Sequence, residues 1–339
     1  MKVPHRGLSE MVKVLGIECT AHTYGVGIVT DRGEILANVN DTYVPLKGGI
    51  HPRDSAQHHS LVAVKVLKQA LAEAKSSLED IDAIAASFGP GFGPCLRTGC
   101  TVARVLALSL GKPLIRVNHC IAHVEIGRLL TGARDPLTVY VSGGNTMITA
   151  YAEGRYRVFG ETLDIALGNF LDVLARELGL PHPGGPIIEK LAEKGKHLLP
   201  LPYVVKGQDV SYSGLLTAAK RRFKERGSIE DVCYSSQEVA FDMLVEVAER
   251  ALAHTEKKEL LLTGGVAANK RLQEKLSIIA KEHDALFLVV PKQYAGDNGA
   301  MIAWTGALAH KFCMSDNIEE SFVQPRWRID EVEVPWRKV

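Results

Sequence analysis

Near its start the chain reads Lys13-Val-Leu-Gly-Ile-Glu18, then a turn of small residues, then Tyr24-Gly-Val-Gly-Ile-Val-Thr30. Asp31-Arg-Gly33 is a tight-turn signal, and a third apolar run follows at residues 34–39. Three runs of strand length separated by short turns predict an antiparallel β-meander. The first part of the chain is therefore predicted to build one side of a β-sheet.

The same plan returns in the middle of the chain, about 125 residues later. Leu137 to Val141 is an apolar run, Ser142-Gly-Gly-Asn145 is a turn, and two further runs follow at residues 146–151 and 156–160. Two meanders of one design predict an internally duplicated protein with two lobes. Two unrelated hairpins fit the same evidence.

Amphipathic and buried segments alternate after each meander. Helices are predicted at residues 55–73, 97–110, 162–178, 213–226, 235–256 and 299–312. Buried strands are predicted at residues 81–87, 114–117, 259–262 and 286–290. Strands that alternate with helices predict an α/β protein with helices layered on sheets.

Composition excludes several classes of protein. The 339 residues are 46% hydrophobic and 23% charged, as in a soluble globular protein, and the net charge of +1 gives no global field for nucleic acid. No apolar run approaches the roughly 20 residues of a membrane span, and residues 1–10 lack a secretion signal. We expect a disordered extension at residues 1–10 and a cytoplasmic protein. The six cysteines form no C-x-x-C pair and are predicted to be reduced.

A histidine pair is the first candidate for chemistry. His119 and His123 are four residues apart, so one helix face can aim both rings at one metal ion. Tyr140 and Asp297 are two further candidate ligands, and a set of imidazole, phenolate and carboxylate suits iron or zinc better than magnesium. An ordinary helix surface, and for Asp297 an ordinary helix N-cap, fit the same residues. Cys120 stands where a helical zinc protease needs a glutamate base.

Two glycine turns are the second candidate. Ser142-Gly-Gly-Asn-Thr146 lies between two strands, and Thr263-Gly-Gly-Val-Ala-Ala-Asn269 lies between a strand and a helix. Such turns let backbone N–H groups approach a phosphate, and together they indicate nucleotide binding between the lobes. Neither turn matches the P-loop or the dinucleotide fingerprint.

Acidic and basic positions complete the candidates. Asp172 and Glu189 each lie near a glycine-rich segment and can bind ribose hydroxyls, although ordinary first-turn helix acids fit equally well. Basic residues cluster at residues 220–226, 326–328 and 336–338 and can contact phosphates and stack bases, while a solvated helix face is the alternative. His58 and His59 are interpreted as surface or packing residues.

Taken together these residues resemble the tRNA N6-adenosine threonylcarbamoyltransferases, in the version that is the catalytic subunit of the archaeal and eukaryotic KEOPS complex. Older descriptions called this family O-sialoglycoprotein endopeptidases. Nine segments, in the family's order, carry the resemblance: Leu15-Gly-Ile-Glu-Cys-Thr-Ala-His22, Gly48-Gly-Ile-His-Pro-Arg53, Gly89-Pro-Gly-Phe-Gly-Pro94, residues 118–123, residues 140–146, Gly184-Gly-Pro186, Ser211-Tyr-Ser-Gly214, residues 263–269 and Gly296-Asp-Asn-Gly-Ala-Met301.

The resemblance implies a fold and a set of site residues. The fold is α/β, actin-like and sugar-kinase-like, with lobe I at residues 11–134, lobe II at residues 135–297 and a C-terminal segment at residues 298–339 that returns to lobe I. The implied metal ligands are His119, His123, Tyr140 and Asp297. The implied substrate and nucleotide contacts are Tyr140, Val141, Ser142, Gly143, Gly144, Asp172, Gly185, Glu189 and Asn269. No general base is assigned.

The resemblance also implies an activity. It is the transfer of a threonylcarbamoyl group from threonylcarbamoyl-AMP to N6 of the adenosine 3′ of the anticodon (position 37), in tRNAs that read codons beginning with A. We expect one divalent metal per subunit, Fe²⁺ before Zn²⁺ or Mg²⁺, and ATP or the adenylate as the nucleotide. The expected partners are tRNA, a separate small kinase/ATPase subunit and the other KEOPS subunits, with no membrane. A metalloprotease and an ATP-binding switch protein are the alternatives.

Overall fold

The computed structural model describes residues 11–45, 48–225 and 228–337. The predicted extension at residues 1–10 therefore lies outside the described residues. The strands of the two main sheets are β1 (Lys13–Glu18), β2 (Thr23–Thr30), β3 (Ile35–Thr42), β4 (Ala83–Gly89), β5 (Leu114–Asn118), β6 (Leu137–Val141), β7 (Thr146–Ala152), β8 (Arg155–Glu161), β11 (Glu259–Thr263) and β12 (Leu286–Val289). The short strands β9 (Val205–Lys206) and β10 (Asp209–Val210) pair with each other.

The helices connect and cover these sheets. They are α1 (Pro52–Glu73), α2 (Gly93–Leu110), α3 (His119–Thr131), α4 (Leu167–Glu177), α5 (Gly184–Ala192), α6 (Ser213–Lys224), α7 (Ile229–Thr255), α8 (Lys270–Glu282), α9 (Lys292–Ala295) and α10 (Gly299–Lys311). Among the described residues, no helix is both long and apolar enough to cross a membrane.

The two five-stranded sheets have the same topology. The first has the order β3-β2-β1-β4-β5 and the second, read from its meander, β8-β7-β6-β11-β12. In the first sheet β1 is antiparallel to β2 and parallel to β4, and in the second β6 is antiparallel to β7 and parallel to β11. The structure thus confirms the predicted duplication and the α/β class.

Helices bury the sheets on distinct faces. One face of the first sheet packs on α1 and α2, and its other face packs on α3 and α10. The second sheet forms the larger core with α4 to α8. A β-carbon on Gly16 would lie 2.1 Å from Ala303 N, and one on Gly27 would lie 2.3 Å from Ala300 N. These strand glycines therefore let α10 sit directly on β1 and β2.

The C-terminal part of the chain thus packs on the sheet built by the N-terminal part. The division into residues 11–134, 135–297 and 298–339 stays a prediction. After α10 the chain runs across both sheets, since Asp316 pairs with Arg116 of β5 and Arg328 reaches Glu161 of β8.

Several element boundaries differ from the sequence prediction for identifiable reasons. Helix α2 begins at Gly93 rather than residue 97. Pro94 has no N–H and therefore suits the first turn, where an N–H would have no acceptor within the helix. Helix α7 begins at Ile229 rather than residue 235, because the Ser228 side chain accepts a hydrogen bond from Asp231 N–H. Helix α4 begins at Leu167 rather than residue 162, and the short helix α5 is not among the predicted helices.

Candidate metal centre and glycine-turn cleft

Helix α3 carries both histidines and starts where β5 ends. The side chain of Asn118 caps it by accepting hydrogen bonds from Cys120 N–H at 3.0 Å and Ile121 N–H at 3.3 Å. The Asn118 amide in turn donates to the carbonyl of Trp327 at 3.1 Å. The start of α3 is therefore fixed by its own cap and by the C-terminal segment.

Both imidazoles face one carboxylate, as the spacing of four residues predicts. His119 Nε2 lies 3.5 Å and His123 Nε2 lies 3.3 Å from Asp297 Oδ1. One ligand atom from each of the three residues lies within 4.8 Å of the others. The His119 and His123 side chains are buried, and that of Asp297 is 15% exposed. The alternative that the histidines form a helix surface is wrong.

Asp297 is free to act as a ligand because its neighbour does the capping. Asn298, not Asp297, accepts the hydrogen bond from Met301 N–H at the start of α10. The Asn298 amide also donates to the carbonyls of Tyr294 and Gly296. The alternative that Asp297 is an ordinary N-cap is therefore wrong.

Glu18 is the site residue that the sequence did not reveal. Its Oε2 lies 2.9 Å from His119 Nδ1, and its Oε1 accepts hydrogen bonds from Thr20 N–H at 2.7 Å and Thr20 Oγ1 at 2.5 Å. A carboxylate on one ring nitrogen places the proton there and leaves the other nitrogen to coordinate metal. The network therefore directs His119 Nε2 toward Asp297.

The electrostatics of the cluster favour positive charge. Burial opposes protonation of His119, but the charges of Glu18 and Asp297 outweigh it and raise the pKa of His119 to about 9. Burial also opposes ionisation of Asp297, yet the charge of His119 and the hydrogen bond with His123 hold its pKa well below the usual range. Burial lowers the pKa of His123 and favours its neutral, coordinating form. The donor set of two imidazoles and a carboxylate thus fits a divalent transition metal.

Tyr140 joins this cluster through its ring. The ring stacks on His123 with centroids 4.7 Å apart and planes inclined by 30°. Its hydroxyl accepts a long hydrogen bond from the Asn145 amide at 3.5 Å, and burial raises the Tyr140 pKa well above its usual value. Burial likewise raises the pKa of Cys120, so this thiol is a packing group.

The two glycine turns meet at one edge of the second sheet. Parallel strands β6 and β11 end at Val141 and Thr263, so the turns that follow them are neighbours. A β-carbon on Gly264, where φ is +94°, would lie 2.2 Å from the carbonyl oxygen of Val141. A glycine is therefore required at this contact.

The outer sides of both turns face open space. A β-carbon on Gly143, Gly144 or Gly265 would meet no atom within 4 Å. The first turn is closed by hydrogen bonds from Ser142 N–H to Asn145 O and from Asn145 N–H to Ser142 Oγ. This shape leaves room beside the backbone for a ligand.

The other predicted nucleotide residues lie on helices linked to these turns. Asp172 Oδ1 accepts a hydrogen bond from Gly184 N–H at 2.7 Å at the start of α5, and Glu189 Oε1 accepts one from Lys270 N–H at 2.6 Å at the start of α8. Asn269 caps α8 through Leu272 N–H and donates to Gln237. These side chains hold helix starts together around the cleft.

Two further positions connect this region with the turns. Gly168 N–H at the start of α4 donates to Ser142 O at 3.1 Å. A β-carbon on Gly185 would meet only Leu171 Cδ1, at 3.9 Å, so Gly185 keeps one open side. The structure therefore places all the predicted nucleotide positions around the second sheet.

Most of the basic candidates are engaged in ion pairs. Lys220 pairs with Glu177, Arg222 pairs with Glu225, and Arg337 pairs with Asp135 while it stacks on Tyr151. Arg226 and Lys338 lie outside the described residues. His59 is buried beside the Tyr24 ring, as a packing residue is expected to be.

The fold and site together define a class of protein. It is a duplicated α/β protein with a candidate metal centre beside two glycine turns, and the same fold is found in actin-like ATPase-fold proteins of known structure. HypF of T. kodakarensis superposes with a TM-score of 0.65 at 16% identity, over 89% of this chain and 48% of that one. Component A of the Acidaminococcus fermentans (R)-2-hydroxyglutaryl-CoA dehydratase superposes with a TM-score of 0.55 at 14% identity, over 87% and 99%.

Sequence comparison gives the family. The model described as tRNA N6-adenosine threonylcarbamoyltransferase matches residues 34–304. A protein of that name from Thermofilum pendens is 62% identical over 327 residues, covering 96% of this chain and 97% of that protein. A "probable bifunctional tRNA threonylcarbamoyladenosine biosynthesis protein" of Methanothermobacter thermautotrophicus is 56% identical over 96% of this chain, which spans 61% of that protein. The chain belongs to the tRNA N6-adenosine threonylcarbamoyltransferase family.

Proposed function

We propose that this chain transfers a threonylcarbamoyl group from threonylcarbamoyl-AMP to N6 of adenosine 37 in tRNAs that read codons beginning with A. The observation that carries the proposal is the contact between the two predicted parts of the site. The ring of Tyr140, the residue before the end of β6 and two positions before Ser142 of the glycine turn, stacks on His123 of the metal cluster. A donor held by both parts would have its acyl group at the metal and its phosphate at the turn.

The chemistry requires positioning more than a reactive side chain. The donor is a mixed carbamic–phosphoric anhydride, and the N6 lone pair attacks its carbonyl carbon. A C–N bond forms, the bond between the carbonyl carbon and the bridging oxygen breaks, AMP leaves with that electron pair, and the phosphate of AMP carries away the proton lost by N6. Because AMP is a good leaving group, the protein has to align the reactants and exclude water.

We propose His119, His123, Asp297 and Tyr140 as the residues that hold one divalent metal. Two imidazole ligands favour Fe²⁺ or Zn²⁺ over Mg²⁺, and the family resemblance is the ground for proposing Fe²⁺ first. When bound, the metal supplies a Lewis acid that orients and polarises the group transferred. Glu18 keeps the His119 ring in the coordinating tautomer. Burial of the cluster keeps water away from the anhydride.

The nucleotide half of the donor is assigned to the glycine turns. The amides of Ser142 and Gly144 already donate to Asn145 O and Ser142 Oγ, and no acceptor for Gly143 N–H is present among the described residues. We therefore propose Gly143 N–H as the first contact to the phosphate charge that grows as AMP leaves. Asp172, Glu189, Gly185 and Asn269, with Val141, are proposed to surround the ribose and adenine.

We further propose a cytoplasmic multi-subunit assembly of the KEOPS type. The name of the Methanothermobacter relative describes a bifunctional protein, and this chain spans 61% of its length. A small kinase/ATPase subunit is proposed as one partner in this assembly. Because the net charge is +1, the chain alone is expected to bind tRNA weakly and to bind it better with partners.

The test is in vitro modification of an A-codon tRNA with the synthetic donor, with and without candidate partner subunits. We expect threonylcarbamoyl-adenosine at position 37, and none when that adenosine is replaced by guanosine. Hydrolysis of a denatured protein by the chain would instead support the metalloprotease, and ATP turnover without any acceptor would support the ATP-binding switch. Absence of modified adenosine under every condition would refute the proposal.

A further inference from the structure

An open groove on the C-terminal segment, bonded to the residue before His119, is not used in the account of the donor. It has a volume of about 430 Å³ and is lined by Gln324, Pro325, Arg326, Trp327 and Glu331. The groove is open to solvent and leaves room for a single base presented by a larger molecule. The groove therefore invites an assignment.

The segment that forms the groove is tied to His119. The carbonyl of Trp327 accepts a hydrogen bond from the Asn118 side chain, and Asn118 directly precedes His119. The carbonyl of Pro325 accepts one from Gly91 N–H at 3.1 Å. The next residue after Gly91 donates its N–H to the carbonyl of Thr20, whose hydroxyl lies 3.4 Å from His119 Nδ1.

Arg328, which follows the lining residue Trp327, ties the same segment to the strand that follows the first glycine turn. The guanidinium of Arg328 binds Glu161 at the end of β8, at 3.2 Å. The N–H of the next residue, Thr162, donates to the carbonyl of Thr146 at 3.0 Å. The segment that forms the groove is thus bonded both to the start of α3, which carries His119, and to the end of β8, which is bonded to the strand after the first glycine turn.

The side chains of the groove suit an unpaired nucleotide. Trp327 is partly exposed and packs against the core of the first sheet, so its ring is held in place. Arg326 is exposed and forms no ion pair within the part of the chain that the structure describes. An indole held by packing offers a face for a base, a free guanidinium offers a partner for a phosphate, and Gln324 offers an amide for a base edge.

We propose that this groove binds the acceptor adenosine of the tRNA anticodon loop, with the base stacked on Trp327 and a flanking phosphate on Arg326. The proposal rests on the proposed function and extends it to the second substrate. Anticodon-loop bases are single-stranded and can be turned out of the loop, which is the form that aromatic platforms recognise. Placement on the segment bonded to the residue before His119 brings N6 toward the acyl group of the donor.

The experiment uses the full, metal-loaded chain and an anticodon stem-loop RNA with 2-aminopurine at the acceptor position, a base whose fluorescence falls when it stacks on tryptophan. Wild type is expected to quench the fluorescence. Trp327→Leu, which keeps apolar packing without a π face, and Arg326→Glu are expected to weaken RNA binding about ten- to a hundredfold. Trp327→Phe should retain most of it.

Controls separate stacking from folding and from general charge. Phe322→Ala removes an exposed ring of the same segment, and Arg32→Glu reverses an exposed charge on the turn at the far end of β2. Both should bind RNA as wild type does. Because Arg326 has no ion-pair partner among the described residues, Arg326→Glu tests the proposal even if Trp327→Leu is unstable.

The same proteins are then given the donor and an adenosine-containing stem-loop. The proposal is supported if wild type transfers the group and both Trp327→Leu and Arg326→Glu show an increased KM for RNA with unchanged metal binding. If wild type transfers the group and both variants keep the wild-type KM and quenching, the proposal is overturned while the proposed function stands. Quenching by wild type without any transfer, either alone or with candidate partner subunits, would support the base site and refute the proposed function.

Discussion

The hydrogen bonds of Glu18 lead to a quantitative prediction for Glu18→Gln. Thr20 donates two hydrogen bonds to Oε1 of Glu18, so a glutamine in this place must turn its carbonyl oxygen toward Thr20. Its NH₂ group then takes the position of Oε2, 2.9 Å from His119 Nδ1. An NH₂ donor there makes Nδ1 an acceptor and moves the ring proton to Nε2, the atom that faces Asp297.

The size of the effect follows from the role of such partners. Changes to groups that orient a metal-bound histidine cost about 10- to 100-fold in metal affinity, or about 1.4 to 2.7 kcal/mol. The substitution also removes the charge that raises the pKa of His119, so the metal-free protein is expected to lose stability as well. The prediction is the loss of metal affinity, which the control variant below separates from a loss of stability.

The assay is competition between the protein and a chromophoric chelator for Zn²⁺ at constant pH. Glu125→Gln is the matched control, because Glu125 is also fully buried, is on α3 and accepts hydrogen bonds from Tyr156 and Trp336. It should lower stability and leave metal affinity within about threefold. Equal metal affinity in wild type and Glu18→Gln would refute the reasoning.

Three further predictions concern other residues. His119→Ala combined with His123→Ala should remove bound metal, measured by elemental analysis, and abolish transfer while the circular dichroism spectrum is retained; a metal-free variant with full activity would contradict the ligand assignment. Gly264→Ala should destabilise the fold by more than about 1 kcal/mol because φ is +94°, whereas Gly265→Ala, in open space, should keep the melting temperature and weaken donor binding; equal melting temperatures would be evidence against the turn contact. Burial lowers the pKa of His59 from 6.5 to about 4, so the unfolded chain takes up the proton first as the pH falls. The free energy of unfolding should therefore decrease by about 3 kcal/mol as the pH is lowered from 6.5 to 4. Urea titrations should show this loss in wild type and not in His59→Phe, and parallel pH profiles would disprove it.

The duplicated architecture was accessible from sequence because it depends on local signals. Apolar runs, turn residues and the recurrence of one meander are sufficient for the two sheets, and β1 and β6 begin at residues 13 and 137. Helix starts were less accessible. Those of α2 and α7 depend on Pro94 and Ser228, and helix α5 is too short to show a clear periodic pattern.

The site was predictable to the extent that its residues share one element or one motif. The spacing of His119 and His123 within α3 is local, and each glycine turn follows a strand in sequence. The convergence of Asp297 on the histidines is a tertiary contact across more than 170 residues. Its residue type and its glycine-rich turn made Asp297 a candidate ligand, and the family resemblance distinguished that role from a helix N-cap.

Glu18 illustrates what periodicity cannot give. A glutamate that ends a strand has no special local pattern, and its partner His119 is 101 residues away. The physical signal lies in topology. Because β1, β4 and β5 are parallel, their carboxyl ends lie on the same side of the sheet. Glu18, which ends β1, and His119, which follows β5, are therefore brought together there.

The central claim is that the His119, His123 and Asp297 cluster and the glycine turns together carry out transfer to adenosine. The most direct measurement follows a carbonyl label from threonylcarbamoyl-AMP into the nucleosides of a digested A-codon tRNA. The measurement compares the metal-loaded wild type with the metal-depleted protein and the His119→Ala, His123→Ala variant. Of the three proteins, only the metal-loaded wild type is predicted to place the label on N6 of adenosine 37. Equal labelling by the metal-free proteins, or none by the metal-loaded wild type with its partners, would contradict the claim.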